Sequence, residues 1–64
     1  LRRIAMTTDP WPPEGTRVRF RPYGWQDYLH GTLFCIGGTW MVRVPVYSMR
    51  FVVQRHEIEV IDET

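Results

Sequence analysis

Polar and apolar residues alternate from Thr16 to Arg21, with Val18 and Phe20 on one side and Arg17, Arg19 and Arg21 on the other. A period of two belongs to a strand with one buried and one wetted face, so this stretch predicts a first strand. Strand character resumes from Leu29 to Ile36 and stops at Gly37-Gly38. Two adjacent glycines suit a two-residue hairpin turn, whose central positions both need positive φ. That turn pairs Ile36 with Thr39, Cys35 with Trp40, Phe34 with Met41, Leu33 with Val42, Thr32 with Arg43 and Gly31 with Val44. Residues that face each other share a side of the sheet. One side then holds Leu29, Gly31, Leu33, Cys35, Trp40, Val42 and Val44, and the other His30, Thr32, Phe34, Ile36, Met41 and Arg43. The first set reads as core, and a slip of one residue would turn all of it to solvent.

Pro45 ends this third strand, and Val46 to Ser48 connect it to Met49–Val53, where Met49, Phe51 and Val53 are read as inward. Gln54 to Glu57 reads as one tight turn. Ile58 to Ile61 reads as a last short strand with Ile58 and Val60 inward. No stretch keeps a helical period, and Gly or Pro interrupts too often for one. Residues 7–14 contain Pro10, Pro12 and Pro13, which bars them from a central strand. Residues 1–14 are therefore an extended or flexible lead-in, and residues 15–62 the folded domain.

At 64 residues the chain has material for one core only. Its 44% hydrophobic content is too high for a disordered chain, and no apolar run reaches membrane-spanning length, so no membrane partner is expected. Cys35 is the only cysteine and has no metal-ligand spacing with His30 or His56. Neither a disulfide scaffold nor a zinc site follows, and no cofactor is implied. A reducing compartment suits a lone thiol, and the first six residues lack the apolar stretch of a signal peptide, so a cytoplasmic location is expected.

The formal charge is only +1, but between Gly15 and His56 six arginines face a single acid, Asp27. Glu57, Glu59, Asp62 and Glu63 collect at the C-terminal end and cancel this excess in the total. All eight cationic residues are arginine. A GC-rich genome and a need for planar, bidentate contacts explain that equally well.

The run Gly15-Thr-Arg-Val-Arg-Phe, the later Gly31-Thr-Leu, and Val53-Gln-Arg-His-Glu-Ile-Glu-Val together resemble the SH3-like superfold of Tudor, KOW and related small barrels. The resemblance implies an all-β, five-stranded SH3-like barrel preceded by the proline-rich tail. That superfold hosts many unrelated functions, so function must come from the surface. Type II dihydrofolate reductases are similar short barrels, and their pore motif would fall on Val53-Gln54-Arg55-His56. Only Val53 and Gln54 match it. Ser48, Cys35 and the two histidines have no spacing of nucleophile and base, so the chain reads as non-enzymatic.

Three surfaces remain. Arg17, Arg19 and Arg21 form a basic ladder that would track phosphates, widened by Arg43, Arg50 or Arg55 where the fold brings them near, with Tyr23 and Trp25 on the neighbouring loop to stack on bases. The bland alternative for the ladder is a solvated strand face that discourages edge pairing. In Tudor-type barrels the equivalent loops hold an aromatic cage, so by resemblance Tyr23, Trp25, Tyr28 and Tyr47 would surround a cation with Asp27 as counter-charge. Tyr28, next to the strand, is read rather as core. Phe34 and Met41, with Ile36, offer a partner surface unless Trp11 and the lead-in fold back over them. The reading is a nucleic-acid-binding module, with a protein-interaction module as the alternative.

Overall fold

The computed structural model describes residues 10–61. Five strands, β1 (Arg17–Phe20), β2 (Leu29–Ile36), β3 (Thr39–Val44), β4 (Met49–Val52) and β5 (Glu59–Val60), form one antiparallel sheet in the order β4-β3-β2-β1-β5. Short 3-10 turns at Pro45–Tyr47 and Arg55–Glu57 precede β4 and β5. In the second turn the Glu57 carboxylate accepts the Gln54 N–H at 2.7 Å and the Glu57 N–H donates to the Gln54 carbonyl at 2.9 Å. That reciprocal bonding fixes a turn too short to be stable by itself.

The hairpin register follows from the two glycines. Gly37 and Gly38 have φ of 59° and 85°, and the pairs run from Ile36↔Thr39 to Thr32↔Arg43. There β2 changes partner. Its first half, Leu29 to Thr32, pairs with β1, where Gly31 faces Val18 and not Val44. A Cβ on Gly31 would lie 2.6 Å from Val42 Cγ1 and well inside contact with the Arg43 carbonyl oxygen. Only glycine lets β3 pass this closely.

Val18, Phe20, Leu29, Leu33, Val42, Val44, Val53 and Ile58 make the core, and among the described residues no polar or charged one is buried with them. They lie on the inward parity that the alternation sets. Of the other positions read as inward, Cys35, Trp40 and Phe51 are partly buried and two are exposed. Val60 is 50% exposed because β5 has two residues and pairs only with β1, leaving its other side uncovered. Met49 is 41% exposed because β4 is the opposite edge of the sheet and its first residue sits at the rim.

The described part of the lead-in is docked. Trp11 stacks on Trp40 with ring centroids 4.6 Å apart and planes 5° from parallel. Arg55 Nε donates to the Pro10 carbonyl at 2.9 Å, and the Cys35 N–H donates to the Glu14 carboxylate at 3.2 Å. The segment folds back, but onto Trp40 on the inner face and not over Phe34, Met41 and Ile36. Parity explains the choice, since Trp40 is too large for the interior and leaves an apolar flank at the sheet's end. Residues 1–9 and the acidic pair Asp62 and Glu63 lie outside the described residues.

Candidate nucleic-acid interface

The outer face of the sheet carries two arginine groups in different settings. At the β1 end, Arg19 Nε donates to the Glu59 carboxylate at 2.6 Å across the β1–β5 pair. The Arg19 guanidinium also lies 4.8 Å from the centroid of Tyr28, and that of Arg21 5.9 Å from the same ring. Tyr28 is therefore a half-exposed platform for two cations and not a core residue. These contacts follow from the sequence: β1 parity puts both arginines outward, and Tyr28 lies just before Leu29, which pairs with Phe20. Arg19 and Arg21 are thus both engaged at this end of the sheet.

At the other end, the register lines up Arg17, Thr32, Arg43 and Arg50 on one transverse row across β1, β2, β3 and β4. Arg43 and Arg50 face each other directly, about 5 Å apart in backbone spacing. Neither has a carboxylate partner among the described residues. Like charges directly opposite one another destabilise a sheet. The next row on the same face is apolar, with Phe34, Met41 and Val52 side by side. Val52 is 69% exposed.

Between these rows and the Pro45–Tyr47 turn lies an open groove of about 720 Å³, lined by Thr32, Phe34, Arg43, Pro45, Ser48, Met49 and Arg50. Ser48, at its rim, has φ 53° and is the one non-glycine residue with positive φ among the described residues. Met49 and Ser48 are not binding candidates on sequence grounds, and Arg50 is one only where the fold brings it to the basic patch. What places it beside Arg43 is the β3–β4 register across the Pro45–Tyr47 turn, which the sequence alone does not set.

The loop aromatics divide. A turn closed by the Trp25 N–H to the Pro22 carbonyl at 3.0 Å, with Gly24 at φ 88°, leaves Tyr23 fully exposed and folds Trp25 inward. Trp25 packs edge-on against Tyr47 and Phe51, at 5.6 and 6.0 Å, and joins the core margin. No ring contact joins Tyr23 or Tyr28 to that pair among the described residues, and Asp27 is exposed. Among the described residues no helix is long and apolar enough to cross a membrane, and no three His, Cys, Asp or Glu side chains are placed to hold a metal ion. In comparison with known proteins, the chain matches no family model, no curated protein and no solved structure.

Proposed function

We propose that the chain is a small non-enzymatic binding module, SH3-like in architecture, that associates with nucleic acid through the phosphate backbone. The architecture is supported by the strand order, by β2 serving both halves of the sheet, and by the 3-10 turn before β5. The observation that carries the function is the Arg43–Arg50 pair, two cations set opposite each other with no neutralising acid among the described residues. Their repulsion lowers stability in the free protein, and a polyanion laid across the row relieves it. Guanidinium groups also match phosphate oxygens in two-point contacts. Arg17 lies on the same row and Tyr23 on the loop beyond β1, so both widen the surface toward that edge.

The test is a salt titration of binding to DNA and to RNA. With two to three phosphates contacted, the logarithm of the affinity should fall against the logarithm of salt with a slope of roughly −2. Absence of binding at low ionic strength, or a flat titration, would reject the proposal. The exposed Ile36 and Val52 favour a second reading, a protein partner on the apolar row. Such a partner would bind with little dependence on salt.

A further inference from the structure

Resting on that reading, we infer that the groove admits one unpaired nucleotide of a single strand, its phosphate on Arg43 and Arg50 and its base against Phe34. The outer face separates the two chemistries a nucleotide needs. The cationic row and the apolar row are offset by two residues along the strands, roughly 6.5–7 Å. Phosphate-binding and base-binding groups are thus about one nucleotide apart. Thr32 and Ser48 add hydroxyls that donate to phosphate or sugar oxygens.

Phe34 supplies the second observation. Every other aromatic side chain except Tyr23 packs on another ring or under an arginine: Trp11 with Trp40, Phe20 with Phe51, Trp25 with Tyr47 and Phe51, and Tyr28 with Arg19 and Arg21. Phe34 is partly buried on the outer face of the sheet, lines the groove, and has no such ring or cation partner among the described residues. A ring left without a partner beside a cationic pair offers a stacking surface to a base.

The groove's size and shape choose between single and double strands. Its volume of about 720 Å³ falls within the range of small-ligand sites. A duplex presents phosphates on its convex outside with its bases stacked within, so it would touch the arginines and leave Phe34 against sugar or solvent. A single strand can splay one base into the groove.

The experiment is fluorescence anisotropy at low salt with three probes of about 12 nucleotides: a thymidine strand, an abasic strand with the same phosphates, and a duplex. The thymidine strand should bind about 10-fold more tightly than the other two, and Phe34→Leu, which keeps apolar bulk, should lower only its affinity, by about 5- to 10-fold. Equal binding of thymidine and abasic strands overturns the base pocket while leaving the phosphate reading intact. Equal or tighter duplex binding does the same. Binding of none of the three removes both readings. Should Phe34→Leu fail to fold in a thermal melt, the unaltered protein decides through the thymidine and abasic strands alone.

Discussion

Arg19 and Arg50 lie on the same outer face, but their surroundings differ. Arg19 has a carboxylate across the strand and a tyrosine ring beneath it, whereas Arg50 faces another arginine over an open groove. Composition treats the two alike. The register separates them, because β5 brings Glu59 to β1 and nothing acidic to β4. A basic residue with its charge answered inside the fold serves stability, and one set against its own kind is available to a ligand. That contrast, more than the total of arginines, marks the interface.

The largest expected effect is at the junction of the two ends. Gly31→Ala places a methyl group against the β3 backbone and Val42, which must shift where β2 passes from β1 to β3. Backbone cannot yield as a flexible side chain does. A loss of about 3 kcal/mol in urea unfolding is expected, at the upper end for overpacking. If the variant were as stable as the parent, the two halves would not be coupled through this contact.

Next comes Trp11→Ala, which removes the stacked partner of Trp40 and should cost about 2 kcal/mol. Trp11 touches neither arginine group, so nucleic-acid affinity measured below the melting transition should not change. A drop in affinity would mean that the lead-in takes part in binding.

The fold was legible where side-chain parity decided it. Alternation in β1 and the turn glycines of the central hairpin assign Val18, Phe20, Leu33 and Val42 to the core, as observed. Parity failed at the edges: Met49 and Val60 have the right phase but sit on strands with a neighbour on one side only, so nothing covers them. It also says nothing of pairs joined by long connections. The Arg19–Glu59 contact spans 40 residues, and Arg50 joins Arg43 only through a register that the Pro45–Tyr47 turn sets. The ladder was visible in the sequence, but the partners that Arg19 and Arg21 find within the protein were not.

Arg50→Ala addresses the Arg43–Arg50 pair directly. It should weaken binding about 10-fold at low salt and flatten the salt dependence by close to one phosphate contact. Stability should hold or rise by a few tenths of a kcal/mol, since the facing Arg43 loses a like charge. Lower stability with unchanged binding would reverse the assignment of the two ends.

Glu59→Gln is the smallest change and the most discriminating. It removes one charge of a surface pair whose members are both about half exposed, so the stability lost should be only about 0.5 kcal/mol and should vanish in high salt. Its effect on binding carries the weight. Arg19 stays over Tyr28 and on a different row from Arg43, so releasing it from Glu59 should leave nucleic-acid affinity within about twofold, the small net-charge change apart. A gain of about 10-fold, with a steeper salt dependence, would show instead that Glu59 masks a phosphate site at the β1 end. The interface would then run the full length of the row and ladder, and the contrast between Arg19 and Arg50 would be one of gating and not of role.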